Sequence, residues 1–399
     1  MLLLLIGLGG FGAIKILRGS ASPSASLSPP PDAGVVAGIE RQSGPWGELE
    51  IQDIQIDPPD EYAARLYVPT NHGVWFFGAG YDGPKVLSLF ASADLTRSQR
   101  SELVDPAHWK STAQGIFITP QPRTVFSLSS PARSRIYRAL AEFPENFFQS
   151  SPFMFSKARA DDWFFHSGLA AETVALVSSL LYPHGSMLCF SDVGILTHIG
   201  SDAEKTRLIM ALSRTPTVLV NLRIPPGADP APLTRYWSGT GDGNGARQLI
   251  NSVARGRNGG SIDIVHLLPL FVRDYLYTYP RTAAGQGNGP DCFWSALSFD
   301  RQPPDFTVVN ETYLIQRLKE DYESVREPFQ VGDVVVFANE AGRIVHSCVY
   351  IAGNIVFTKN GASLFAPWVL MRLPDVAGFY ADNNSPRIIC FRKKKLKSG

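Results

Sequence analysis

The chain has 399 residues, 44% of them hydrophobic and 18% charged, enough apolar material for a sizeable core and a length that suits two or three domains. Its net charge of +1 gives no global attraction to nucleic acid or to an acidic membrane surface, so no nucleic-acid partner is expected. The four cysteines (Cys189, Cys292, Cys348 and Cys390) form no CxxC pair, which argues against a zinc site and a disulfide scaffold alike.

The chain opens MLLLLIGLGGFGAI, apolar through Ile14, with Lys15 and Arg18 following. This run falls short of the about 20 residues of a membrane span. It suits a secretory h-region, although its positive charges come after the apolar stretch. A Ser/Ala/Pro segment from Ser20 to Gly34 cannot bury much surface and reads as a linker. Residues 1–19 are therefore expected to be a signal or membrane anchor and residues 20–43 a tether. That places the protein in the cell envelope or periplasm, exported or membrane-anchored.

Globular sequence is expected from about Gly44. GELEIQDIQI (47–56) alternates apolar and polar residues as a half-buried strand does, and 73–80 and 116–120 are further strands. Helical spacing covers 132–143, 168–181 and 202–213, with strand-like SMLCF (186–190) and TVLVNLRI (217–224) between them. Strands alternating with helices predict an α/β domain of unknown role over 44–260. GTGDGNG (239–245) lacks the Lys-Ser/Thr ending of a phosphate loop and reads as a surface loop. Residues 261–279 predict an amphipathic helix with an internal proline. The basic run RKKKLK (392–397) reads as a solvated tail.

The chemistry concentrates further on. YPRTAAGQGNGPDCFWSALSF (279–299) contains a glycine-rich loop at 285–289, then Asp291, then Cys292 at the start of an apolar helix. Asp291 is a natural N-cap. A cysteine in the first turn sits where the helix favours negative charge, so a lowered thiol pKa is expected. Downstream, turns at Gly332-Asp333, at 339–342 and at Gly353-Asn354 separate strands 334–337, 343–351 and 355–359. His346 lies on the middle strand. A Cys-bearing helix packed on a His-bearing antiparallel sheet is the papain-like arrangement.

These residues resemble the NlpC-type cysteine peptidases of bacterial cell walls. The points of resemblance are Asp291-Cys292 after a glycine loop, Tyr279 thirteen residues upstream, the Gly332-Asp333 turn and the His346-Ser-Cys-Val-Tyr-Ile strand. The resemblance spans roughly 279–389. It departs from the family at Phe293 and Trp294, where small residues are usual, and at Pro280-Arg281-Thr282, where Trp-Gly-Gly is usual. It implies an α+β fold with a papain-like C-terminal domain over 261–399. It also implies a Cys292–His346 catalytic pair and a third polar residue on the next strand, best matched by Asn360, with Thr358 and Lys359 beside it. Tyr279, Asp291 and Lys359 are expected near the substrate or oxyanion. The expected reaction is cleavage of a peptide or amide bond, in peptidoglycan, by a thiolate–imidazolium pair without metal or cofactor. The alternatives are an amidase or acyltransferase acting on lipid or protein, and an inactive papain-like binding module.

Overall fold

The first strands form where the alternation is cleanest. β1 (Ile39–Gly44) and β2 (Gly47–Ile56) pair as a tight antiparallel hairpin, Gly44 opposite Gly47. Gly47 turns at φ +98°, and a Cβ there would come within 2.6 Å of Leu233, so the position requires glycine. The computed structural model describes residues 38–63, 73–157, 163–164, 167–185, 187–239, 243–280, 290–301, 310–363, 365–381 and 385–395. The expected anchor over 1–19, most of the expected tether over 20–43 and the glycine loop at 285–289 lie outside these residues. The described residues start within the expected tether, with β1 from Ile39.

An inserted region follows the hairpin. Strands β3 (Trp75–Phe77), β4 (Trp109–Ser111) and β5 (Ile116–Ile118) form one small sheet, against which α1 (Gly83–Ser92) and α2 (Ser130–Leu140) pack. Strands β6 (Phe153–Ser156), β7 (Tyr182–His184) and β8 (Met187–Phe190) form another, with α3 (Ala171–Ser179) and α4 (Asp202–Ser213) beside it. The chain then re-enters the first sheet. β9 (Thr215–Ile224) pairs along the whole of β2, and β10 (Gly260–Asp263) pairs with β9.

The α/β expectation for 44–260 is corrected here. Every described ladder between named strands is antiparallel. The helices between strands either join strands of one antiparallel sheet or lead from one sheet to the next, and none makes the crossover between parallel neighbours. The protein is mixed α and β with antiparallel sheets, an α+β arrangement. Among its described helices none is long and apolar enough to cross a membrane.

α5 (Pro230–Trp237) and α6 (Gly243–Ala254) lie between β9 and β10, so a helix begins inside the glycine-rich stretch expected as a loop. The long helix expected over 261–279 is broken into the end of β10, a 3₁₀ turn and the short α7 (Leu270–Tyr275). Pro269 caps α7, because proline cannot continue a preceding helix. After α8 (Cys292–Ser298) and α9 (Glu311–Asp321) comes the larger sheet. It contains β11 (Tyr322–Val325), β12 (Val334–Ala338), β13 (Ile344–Ala352), β14 (Ile355–Lys359), β15 (Trp368–Arg372) and β16 (Arg387–Lys393), in the order β11-β16-β12-β13-β14-β15. α10 (Leu373–Phe379) links β15 towards β16.

One apolar core joins the two sheets. Leu49, Val220 and Ile262 from the first cluster with Trp294, Val336, Val349 and Phe357 from the second region. A domain boundary between 260 and 261 would therefore cut β10 and this core. Polar links reinforce the junction. Arg372 donates to Glu40 and Asp53 at 2.6–2.8 Å, and the Thr217 hydroxyl donates to the Leu370 carbonyl at 2.8 Å. The basic C-terminal run is also partly structural. Arg392 forms a forked pair with the buried Asp333 at 2.7 and 2.8 Å, and Lys394 Nζ donates to the Lys319 and Glu320 carbonyls at the end of α9. Cations are favoured at a helix C-terminus, so these residues are held in place and not part of a free tail.

Candidate functional site

α8 starts as its sequence predicts. The Asp291 carboxylate accepts from the Trp294 N–H at 2.8 Å and caps the helix at Cys292. Trp294 turns inward against Phe271, Tyr275 and Trp368, and Trp368 Nε1 donates to the Ser295 hydroxyl at 2.8 Å. Trp294, bulky where a small residue is usual, is thus part of the core, and it fixes α8 against α7 and β15.

β13 presents its residues alternately to two sides, as any strand does. Val349 and Ile351 join the core beneath α8, whereas Cys348 and Tyr350 face a second apolar cluster with Phe337, Val356 and Met371. His346 shares the side of Cys348. It packs tilted on Phe337 and lies stacked on Tyr380 at 4.2 Å between ring centres. Ser347 shares the side of α8, and its hydroxyl donates to the Cys292 carbonyl at 3.3 Å. The described β13–β14 ladder runs from Val349–Phe357 to Ala352–Ile355. Nearer the start of β13, the Ser347 backbone N–H goes to the Cys292 sulfur.

The imidazole is held on one nitrogen only. His346 Nε2 and the Thr358 hydroxyl are 2.9 Å apart, and that hydroxyl donates in turn to Asn360 Oδ1 at 3.3 Å. A hydroxyl has one proton. With that proton given to Asn360, Nε2 is the donor to Thr358 and Nδ1 carries the free lone pair. Nδ1 is buried and has no hydrogen-bond partner, so ring and sulfur are not hydrogen-bonded in this arrangement. Asn360 Nδ2 donates to Met371 Sδ at 3.2 Å. Asn360, the expected third residue, thus stands one step behind Thr358.

Lys359 points to the other side of β14. It is fully buried, and its Nζ donates to the Gly361 and Ser363 carbonyls at 2.8 and 3.0 Å with the Trp368 ring beneath it. Burial pushes its pKa down to about 7, opposed by the nearby Cys292 and Asp291. The expectation of a lowered thiol pKa is corrected. Burial, with a smaller push from Asp291, raises Cys292 to about 12, outweighing the Ser347 N–H and Lys359, which lower it. A helix of seven residues offers too weak a field to overcome that desolvation. Burial likewise drives His346 down to about 3. At neutral pH both groups rest uncharged instead of forming a thiolate–imidazolium pair. Desolvation also raises Asp291 above the usual carboxylate range.

Tyr279 does not serve the expected oxyanion role. Its hydroxyl donates to the Ile56 carbonyl at 3.2 Å, at the end of β2, and its ring meets Tyr62 edge-on. The preceding strand pairing draws it away, because the Tyr277 N–H is bonded to the Trp368 carbonyl at 2.7 Å and fixes the chain's direction there. Two contributors were not visible in the sequence. Ser347 is hidden because its N–H, not its side-chain type, meets the sulfur. Tyr380 lies 34 residues after His346 with no motif around it. Among the described residues no group of three or more His, Cys, Asp or Glu could hold a metal ion. The chain matches no protein-family model, no curated protein and no solved structure.

Proposed function

We propose that the chain is a papain-like cysteine hydrolase of NlpC type that cleaves a peptide or amide bond, in cell-wall peptidoglycan, with Cys292 as nucleophile and His346 as base. The observation that carries this reading is the imidazole anchored at Nε2 through Thr358 and Asn360 while the buried Nδ1 keeps its lone pair unused. Leaving a buried polar atom without a partner costs stability, and an orienting residue behind one nitrogen with the other left open is the logic of a catalytic base.

The reaction starts from neutral partners. As substrate enters, the Cys292 sulfur attacks the carbonyl carbon and its proton passes to His346 Nδ1. The electron pair of the C=O bond moves to oxygen, which the Cys292 backbone N–H and the Lys359 ammonium stabilise. Collapse of that oxyanion breaks the C–N bond, and the leaving amine takes the proton from Nδ1. Water, deprotonated by the same nitrogen, then hydrolyses the thioester and restores the thiol. Catalytic hydrogen bonds are often completed only once substrate is bound, so the open Nδ1 is compatible with this sequence of steps. An export signal or anchor at residues 1–19 would bring the enzyme to its substrate.

A second reading, an inactive papain-like binding module, draws support from the burial of the pair, 6% and 0% exposed for Cys292 and His346. Thiol-directed labelling separates the two. An enzyme labels at Cys292 well before Cys189, Cys348 and Cys390, and Cys292→Ala abolishes release of peptide from cell-wall fragments. Equal labelling of all four thiols, or full turnover by Cys292→Ala, rejects the catalytic reading.

A further inference from the structure

We propose that Tyr380 is a further catalytic residue, whose hydroxyl donates a hydrogen bond to the oxygen of the scissile carbonyl. This deepens the hydrolase reading and rests on it. Tyr380 ends α10, and its ring lies stacked on His346, 14° from parallel and 4.2 Å between centres. It also meets Phe337, so it covers the face of the larger sheet that carries His346 and Cys348. A cavity of about 770 Å³ lies beside it, between the inserted region and the C-terminal body. Asn360 and Tyr380 line that cavity, whereas Cys292 and His346 do not. A substrate entering from the cavity therefore meets these two residues before it reaches the buried pair.

The two differ in what they have left to give. Asn360 has both ends of its amide engaged, Oδ1 by Thr358 and Nδ2 by Met371. The Tyr380 hydroxyl makes no hydrogen bond among the described residues. Other tyrosines of the body spend theirs on carbonyls, Tyr236 on Ile351, Tyr277 on Val218 and Tyr279 on Ile56, at 2.6–3.2 Å. An enclosed phenol without a partner forgoes the stability such a bond gives, and stacking on an imidazole needs the ring alone. Burial raises the Tyr380 pKa well above 10, and Cys292, then Cys348 and Asp291, add to that. The hydroxyl thus keeps its proton at neutral pH and lies within the field of the nucleophile. A protonated, unengaged donor at that point suits the charge that develops on a carbonyl oxygen once the sulfur has added. It joins the Cys292 backbone N–H and Lys359 from the cavity side, and the step is a hydrogen bond without proton transfer.

The test compares full-length Tyr380→Phe with wild type in two reactions of Cys292. Phenylalanine keeps the stack on His346 and removes the hydroxyl alone. Hydrolysis of cell-wall fragments builds charge on a carbonyl oxygen. Alkylation of Cys292 by iodoacetamide, a displacement at carbon, builds none there. The expected result is a fall in kcat of about 10²-fold with KM within about twofold of wild type, while Cys292 alkylates at the wild-type rate. Unchanged kcat overturns the proposal. An equal loss in both reactions overturns it too, because the hydroxyl would then support the shape of the site instead of the reacting oxygen. A wild-type protein that releases no peptide rejects the hydrolase reading, and this role falls with it. A wild type that turns over and is matched by Tyr380→Phe rejects this role alone.

Discussion

The inserted region and the C-terminal body each bury a polar cluster, and they complete it differently. In the inserted region Arg133 and Tyr137 both donate to Asp192, and Arg133 also donates to the Val125 carbonyl at 3.0 Å. Arg133 is fully buried and Asp192 is 6% exposed, so both charges are out of water and paired, with Arg133 Nε the one guanidinium nitrogen left over. In the C-terminal body His346 is equally buried but holds a partner on one ring nitrogen alone. The paired cluster fastens α2 to the segment after β8. The half-paired one leaves an imidazole lone pair without a partner. Burial of polar groups is therefore not by itself a sign of function; the clusters differ in the atom left over, an N–H donor on Arg133 and an acceptor lone pair on His346.

Mutations should separate the two clusters. The largest effect is expected for His346→Gln, which keeps a polar side chain but no base. Amide hydrolysis should fall about 10²–10⁴-fold while the urea midpoint changes little. A loss of activity matched by equal loss of fold would move His346 into the structural class. Asp192→Ala should cost about 3–5 kcal/mol of stability because it strands a buried guanidinium, and the folded fraction should keep its specific activity per molecule. Chemical denaturation with activity measured on the same samples decides this.

Acid offers a sharper contrast. His346 has a folded pKa near 3, below its ordinary value of 6.5. Between those values the unfolded chain binds a proton that the native chain does not. Stability contributed by the neutral ring is therefore complete above pH 6.5 and declines as pH falls towards 3. The slope expected from this residue is about 1.4 kcal/mol per pH unit. Wild type should show that excess slope over His346→Gln in urea unfolding; parallel curves would mean the ring is already protonated or exposed. Thr358→Val, which removes the orienting hydroxyl, should cost about 1 kcal/mol and lower turnover more than substrate affinity. Tyr279→Phe should be the mildest, at or below about 1 kcal/mol, with turnover unchanged because its hydroxyl serves Ile56. A large kinetic defect there would restore it to the site.

What could be read from the sequence follows the range of the forces involved. β2, α4 and β14 fall on their expected bounds of 47–56, 202–213 and 355–359, because alternation and helical spacing are local signals. The Asp291 cap on α8 was legible for the same reason. Pairing across long stretches was not. Nothing in GELEIQDIQI announces that it will bond to TPTVLVNLRI more than 150 residues later, so residues 44–260 read as alternating layers. Burial was equally hidden. The position of Cys292 suggested an activated thiol, but its pKa is set by how deeply helix and sheet enclose it. Which face of β13 carries His346 depended on strand register, and one residue of register exchanges the faces.

The register of β2 against β9 has a practical outcome. Ile56 and Thr215 are opposite one another at the end of that ladder, and Asp57 and Arg214, the next residues out, form an ion pair at 2.6 Å. The chain thus leaves the sheet and returns to it at the same point, as a detour whose two ends already touch. A short turn could bridge that gap, and residues 57–214 could be excised or exchanged as one cassette without re-threading any strand of the body that remains.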